Sequence, residues 1–184
     1  RLVYLSREEV LRFLDEIARE RLPAREIGFT GGEPFMNPDI ISMLADALTR
    51  GHSALVLTNA MQPMQRPRVR AGLLELHGAH GDRLTIRVSL DHYGKTLHEE
   101  ERGAGTYDRT IEGIDWLAAN GFKLALAGRT YWGESEGSLR EGYGRLARKR
   151  GWPIDANDPT QLVLFPEMDE RADVPEITQD CWGL

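Results

Sequence analysis

Short apolar segments alternate with longer amphipathic segments along most of the chain, and this alternation constrains the fold more than any other feature. The short segments have the length and composition of buried strands, and the longer ones carry apolar residues at helical spacing. Strands are predicted at residues 26–30, 53–58, 84–90, 122–127 and 161–165. Helices are predicted at residues 6–21, 40–49, 67–76, 107–119 and 138–149, with a long loop before the fourth helix. The alternation predicts a parallel sheet of about five strands covered by helices. The sheet is either an open doubly wound sheet or a partial (β/α) barrel.

The size and composition of the chain fit one globular domain. Its 184 residues are 41% hydrophobic, which is enough to bury one core. The net charge of -6 gives an acidic surface, so nucleic acid is not an expected partner. No apolar run is long enough to span a bilayer and no signal-peptide pattern is present, so we expect no membrane partner and a cytoplasmic location. The single cysteine, Cys181, cannot form an internal disulfide framework.

The carboxyl ends of parallel strands meet at one edge of the sheet, so the residues that follow each strand are the candidates for a site. The first strand is followed by the turn Gly31-Gly32-Glu33-Pro34. Two glycines let the backbone approach a ligand closely, and the carboxylate is an acceptor suited to an ammonium group. The alternative interpretation is a tight connection between a strand and a helix with no ligand.

The run Phe29-Thr30-Gly31-Gly32-Glu33-Pro34-Phe35, followed by Asn37-Pro38-Asp39, resembles a motif of the radical S-adenosylmethionine enzymes. In that family the motif follows the second strand of a partial (β/α) barrel. The preceding helix, which begins Ser6-Arg7-Glu8-Glu9, is similar to the first helix of that barrel. The resemblance implies that Gly31, Gly32, Glu33 and Pro34 bind the amino group of the methionine moiety of S-adenosylmethionine.

The later strand ends are also similar to the family's pattern. Asn59 stands in Leu57-Thr58-Asn59-Ala60, where alanine replaces the glycine of the family's Thr-Asn-Gly, and it either contacts the cofactor or makes a turn. Ser89 and Asp91 stand in Val88-Ser89-Leu90-Asp91, which implies contacts to the ribose. Arg129, after the fourth strand, has the planar fork that would suit the methionine carboxylate, or it is a solvated arginine.

The segment between the third strand and the fourth helix, residues 98–107, contains Arg102-Gly103. It is similar to a segment found in members that modify peptides or proteins, and its other interpretation is a charged surface loop. Glu167, after the last strand, is predicted to face solvent. The histidines show no metal-ligand spacing and are predicted in loops or at the surface: His52, His77, His80, His92 and His98.

The family's chemistry needs a 4Fe-4S cluster held by a Cys-x3-Cys-x2-Cys loop, and nothing in this sequence matches that loop. Either the cysteines precede Arg1, together with a first strand, or the chain is a relative that has lost the cluster. We favour the first explanation, and we expect the 184-residue segment alone not to cleave the cofactor. Cys181 is a weak candidate for an auxiliary cluster, and an ordinary free thiol is the simpler interpretation.

The resemblance implies an enzyme that cleaves S-adenosylmethionine to a radical and abstracts hydrogen from an unidentified substrate, with a peptide or protein as one candidate. An electron donor is then a required partner. The alternatives are a non-catalytic binding module and, less favoured, a barrel lyase or aldolase, for which only Lys123 lies inside a predicted strand. Residues 1–168 are predicted to form the partial barrel, and residues 169–184 a tail or the start of a further segment.

Overall fold

A computed structural model describes residues 4–130 and 132–166 of the chain. These residues form one sheet of five parallel strands in sequential order. The strands are β1 (Glu26–Phe29), β2 (Ser53–Thr58), β3 (Leu84–Ser89), β4 (Lys123–Arg129) and β5 (Leu162–Phe165). The strand order never reverses, whereas a doubly wound sheet has a reversal point. The predicted α/β class is therefore confirmed, and the partial barrel is the closure that the strand order favours.

One helix precedes β1 and the others lie between successive strands, as the alternation predicts. They are α1 (Arg7–Glu20), α2 (Ile40–Thr49), α3 (Gln62–Gln65), α4 (Pro67–His80), α5 (Lys95–Arg102), α6 (Thr106–Ala119) and α7 (Glu136–Arg150). The prediction was wrong about α5, which occupies part of the predicted long loop. Its sequence is strongly charged, and Leu97 is its only aliphatic residue, so it shows no apolar period that would reveal a helix.

The two faces of the sheet differ in their covering. Along β2, Ala54, Val56 and Thr58 are buried, whereas the residues between them are only partly buried, and β3 shows the same alternation. Successive side chains of a strand point to opposite faces, so one face carries the helices and the main core while the other is only partly covered. We call this second face the inner face, because it corresponds to the interior of a closed barrel.

Helix α1 illustrates how local sequence sets the boundaries. Ser6 accepts a hydrogen bond from the Glu9 amide, and the Glu9 carboxylate accepts one from the Ser6 amide at 2.8 Å, which completes a capping box. Val10 and Leu14 are buried on one side of the helix. Arg7 forms an ion pair with Asp46, which joins α1 to α2.

The five histidines were predicted in loops or at the surface. His98 contradicts this prediction, because it is buried on α5, whereas His92 does lie in a loop although it is also buried. His92 and His98 are 3% and 0% exposed, respectively. A histidine inside a charged segment gives no sign of burial, because its environment depends on which elements pack over it. Among the described residues, no helix is both long and apolar enough to cross a membrane.

Candidate functional site

The glycine turn lies at the carboxyl end of β1 and borders a cavity of about 350 Å³. Gly31 has a φ of 147°, a conformation that side chains disfavour, which explains glycine at this position. Neither Gly31 nor Gly32 has an atom within 4 Å of the place where a Cβ would stand. The backbone of the turn is therefore open to a ligand, and the open space fits one end of a small molecule.

Glu33 fixes this turn to the next strand end. One oxygen of its carboxylate accepts hydrogen bonds from the Thr58 hydroxyl at 2.8 Å and from the Phe35 amide at 3.2 Å. The other oxygen accepts a hydrogen bond from the Asn59 amide at 2.9 Å. A carboxylate has about four acceptor positions, so three contacts leave one for a further donor such as an ammonium group. Sequence reasoning assigned Glu33 to a ligand alone and did not predict this role as a clamp.

The turn after β2 contains Asn59, which uses its side chain to shape the backbone. Its Oδ1 accepts a hydrogen bond from the Met61 amide at 2.9 Å, and its carbonyl accepts one from the Thr110 hydroxyl. Ala60 has a φ of 56°, a left-handed conformation that glycine adopts at lower cost. The turn packs closely on α6, because a Cβ on Gly113 would lie 2.0 Å from the Ala60 carbonyl oxygen.

A second cavity, of about 500 Å³, lies at the carboxyl ends of β3 and β4. Ser89, Asp91 and Arg129 line it, and so do Arg102 and the end of β5. The structure thus brings the predicted residues together in two groups at one edge of the sheet. The glycine turn and Asn59 form the first group, and Ser89, Asp91 and Arg129 form the second.

Asp91 is buried, with 3% exposure, and holds two arginines. Its carboxylate accepts hydrogen bonds from Arg102 Nε at 2.5 Å and Arg102 Nη2 at 3.0 Å, which is a bidentate pair. Arg129 Nε lies 3.5 Å from the same carboxylate, while its side chain remains 50% exposed. Sequence reasoning noted Arg102 but did not predict its partner, because the two residues stand on separate elements.

The backbone around Asp91 is fixed by two further buried groups. The Asp91 amide donates a hydrogen bond to His98 Nδ1, and the Tyr143 hydroxyl donates to the carbonyls of Leu90 and Asp91. Burial lowers the pKa of His98, and burial raises the pKa of Tyr143 well above its ordinary range. Both groups are therefore neutral near pH 7 and act here as hydrogen-bonding partners of the backbone.

The loops that follow β3 and β4 are also joined to each other. His92 Nε2 lies 2.7 Å from the Glu134 carboxylate, and the Tyr93 hydroxyl donates to the second Glu134 oxygen. His92 Nδ1 accepts a hydrogen bond from the Gly94 amide, so the ring carries its proton on Nε2 and donates it to Glu134. The hydrogen bond to Glu134 raises the pKa of Tyr93. These contacts join the loop that follows Asp91 to the loop that follows Arg129.

The chain offers no ligand set for an iron-sulfur cluster within the part that the structure describes. No group of three or more His, Cys, Asp or Glu side chains there could hold a metal ion. Cys181 lies outside the described residues, and one thiolate is too few for a cluster. The described residues therefore do not fit the cluster.

A parallel α/β sheet with a glycine turn after one strand and polar groups at the same edge defines an α/β protein of the partial-barrel type with a candidate ligand site at that edge. The model of the Radical SAM superfamily matches residues 1–132, so the chain belongs to that superfamily. The fold, the glycine turn and the family assignment agree with the resemblance found in the sequence.

Characterised relatives match only part of their own length. The mycofactocin maturase MftC of Mycobacterium ulcerans is 28% identical over 118 residues, 64% of this chain and 30% of the relative. The GTP 3',8-cyclase of Rhodococcus opacus is 36% identical over 97 residues, 47% of this chain and 27% of the relative. The chain therefore spans under a third of the length of these two enzymes.

Two solved structures share the fold. Streptococcus suis SuiB bound to S-adenosylmethionine matches 92% of this chain and 36% of its own, with a TM-score of 0.68 and 14% identity. SuiB bound to its precursor peptide SuiA matches 90% of this chain and 33% of its own, with a TM-score of 0.66 and 14% identity. At this identity the likeness shows the fold alone.

Proposed function

We propose that the protein is a radical S-adenosylmethionine enzyme, and that this chain supplies its cofactor-binding edge. The proposal depends on the glycine turn, whose backbone is fixed by hydrogen bonds to Glu33 and is open to a ligand. Its carboxylate fastens the turn to Thr58 and Asn59 while the space beside Gly31 and Gly32 stays free. A rigid turn with exposed backbone groups next to a cavity is suited to one end of a small polar cofactor.

The proposed contacts follow the two groups of residues. Gly31, Gly32, Glu33 and Pro34 hold the methionine amino group, with the remaining acceptor position of Glu33 facing the ammonium. Arg129 is half exposed and reaches the methionine carboxylate as an ionic partner.

The amino group and the carboxylate are on the same carbon of the methionine moiety, so the ribose lies toward the other end of the cofactor and is assigned to other polar groups at the same edge of the sheet. Ser89 lines the second cavity and is the direct ribose contact, and Asn59, which follows the neighbouring strand β2, is the second. The sequence also assigned Asp91 to the ribose. Its carboxylate already contacts two arginines, so we assign Asp91 the role of positioning Arg129.

The cysteine ligands of the 4Fe-4S cluster are proposed to lie outside this chain's 184 residues. The chain contains one cysteine, whereas the cluster needs three. When bound, the cluster supplies the electron that cleaves S-adenosylmethionine to methionine and a 5'-deoxyadenosyl radical. The residues of this chain hold and orient the cofactor and shield it from water.

A peptide or protein is the proposed substrate class. MftC is named a maturase and SuiB was crystallised with a precursor peptide, and this chain resembles both. The segment of residues 98–107, similar to that of peptide-modifying members, contains the end of α5 and the start of α6 and lines the second cavity through Arg102. The reaction also needs an electron donor as a partner. We propose that the protein is cytoplasmic and that neither nucleic acid nor a membrane is among its partners.

The test uses the full-length gene product, reconstituted anaerobically with iron and sulfide. Incubation with a reductant and S-adenosylmethionine is expected to release 5'-deoxyadenosine. Gly32→Val places a side chain in the open space beside the turn, so it is expected to abolish cofactor binding without changing the melting temperature. Gly78→Val is the matched control, because Gly78 is exposed on α4 and has no atom near its Cβ position.

Three results would overturn the proposal. If the complete reading frame holds no cysteine triad, or if the reconstituted protein binds a peptide partner and yields no 5'-deoxyadenosine, the chain is a binding module that lacks the cluster. If Gly32→Val binds S-adenosylmethionine as tightly as Gly78→Val, the glycine turn is not the cofactor site.

A further inference from the structure

Arg87 stands in the middle of β3 on the inner face of the sheet. It lies two residues before Ser89, which lines the second cavity, so both side chains leave the same side of the strand. Its register partners are Leu57 on β2 and Ala125 on β4. The cation is thus set about 7 Å below the rim of the sheet, between one apolar and one small neighbour.

No anion compensates this cation within residues 4–130 and 132–166. The Nε atom of Arg87 is buried and has no hydrogen-bond partner, and the side chain forms no ion pair with a described residue. Asp91, the acid beyond the end of the same strand, is already held by Arg102 and Arg129. Glu26, which also lies on the inner face, stands two strands away at the opposite end of the sheet.

An unpaired, half-buried guanidinium costs stability, since desolvation is not offset by a partner. A leucine or valine at this position would pack against Leu57 and Ala125 without that cost. A residue that lowers stability, and whose neighbours Leu57 and Ser89 on the same face line a cavity, is a candidate for ligand binding.

We propose that Arg87 binds an anionic group of the substrate, a carboxylate or a phosphate, inside the partial barrel. The proposal rests on the proposed function and names the chemistry that the site selects. The planar fork of arginine suits both anions, which it binds through two parallel hydrogen bonds. For a peptide substrate, the matching group is an Asp or Glu side chain or the terminal carboxylate. Arg129 at the rim already serves the cofactor carboxylate, so Arg87 is assigned to the substrate.

The test measures anion-dependent stability in the full-length protein, without turnover. Thermal unfolding is recorded in sodium glutarate, in sodium phosphate and in sodium chloride at equal ionic strength. An anion at about ten times its Kd is expected to raise the melting temperature of the wild type by about 3 °C or more. Comparison of glutarate with phosphate tells which anion the site prefers.

The variants separate Arg87 from general charge effects. Arg87→Gln is expected to lose the anion response while its melting temperature in chloride stays equal to or above the wild-type value. Arg68→Gln, at an exposed position of α4, is expected to keep the full response. Arg87→Lys retains the charge without the fork and is expected to keep a weakened response.

Binding of S-adenosylmethionine is measured in the same variants to tell whether Arg87 binds an anion of the substrate or the carboxylate of the cofactor. S-adenosylmethionine is expected to bind Arg87→Gln within about threefold of the wild-type Kd, since a loss of one strong contact would cost tenfold or more. A loss of at least tenfold would assign Arg87 to the cofactor carboxylate and overturn the substrate role. An unaltered anion response in Arg87→Gln, or failure of that variant to fold, would likewise overturn it. Failure of the proposed function would instead appear as no S-adenosylmethionine binding by the wild type.

Discussion

Replacement of Glu33 with glutamine tests the clamp that holds the glycine turn. The amide keeps one acceptor oxygen, which can serve the Thr58 hydroxyl and the Phe35 amide. Its NH2 group then faces the Asn59 N–H, so two donors oppose each other where a hydrogen bond of 2.9 Å was. A hydrogen bond to a charged group contributes about 1.5–3 kcal/mol, and partial exposure of Glu33 places the loss near 2 kcal/mol.

A loss of about 2 kcal/mol lowers the melting temperature of a domain of this size by roughly 4–8 °C. Thermal and urea unfolding followed by circular dichroism measure this change directly. The Kd for S-adenosylmethionine, measured by calorimetry, is expected to rise about tenfold or more, because the turn is no longer held in its binding conformation. Glu26→Gln is the matched control, since Glu26 is an exposed glutamate at the start of the same strand.

The reasoning is refuted if Glu33→Gln unfolds at the same temperature as Glu26→Gln. If only the affinity falls, Glu33 contacts the cofactor and contributes nothing to the conformation of the turn. If both fall together, the carboxylate acts through the turn as well as on the ligand.

Three further predictions concern the surroundings of the site. Arg102→Gln leaves the buried Asp91 without its bidentate partner and is expected to lower the free energy of unfolding, measured in urea, by about 3 kcal/mol. A loss under about 1 kcal/mol would show that Arg129 alone is enough to compensate the Asp91 carboxylate. Gly113→Ala forces a Cβ against the Ala60 carbonyl, so it is expected to lower the free energy of unfolding by about 2 kcal/mol or more and to weaken cofactor binding. An unchanged melting temperature would contradict this close packing. His98 has a lowered pKa in the folded state, so its stabilising contribution is present above the ordinary pKa of 6.5 and is lost as the pH falls below it. Between about pH 7 and pH 5, His98→Gln should therefore lose less free energy of unfolding than the wild type. Identical slopes of the free energy of unfolding against pH in the two proteins would refute the assignment.

Controls for these variants lie on exposed helical surface. Arg68→Gln removes an arginine that is exposed on α4, and Gly137→Ala adds a methyl group to α7 where no atom lies within 4 Å. Both are expected to leave the free energy of unfolding within about 0.5–1 kcal/mol of the wild type, with Gly137→Ala on the stabilising side.

The sequence by itself determined the elements whose signals are local. The helices predicted at residues 6–21 and 40–49 match α1 and α2 closely, because neighbouring residues carry that information. The glycine turn after β1 was readable for the same reason. The turn at Ala60 was recognised too, although its alanine departs from the family's glycine.

Contacts between residues far apart in the chain were decided only by the tertiary structure. The pairing of Asp91 with Arg102, and the contact of Glu33 with the end of β2, depend on strand register and on where α5 packs. The same holds for the burial of His98 and for the missing partner of Arg87. Sequence periodicity tells which side chains leave a strand on the same face, but it does not tell which atoms meet across that face. The physical reason is that burial and ionic pairing are properties of the packed elements together.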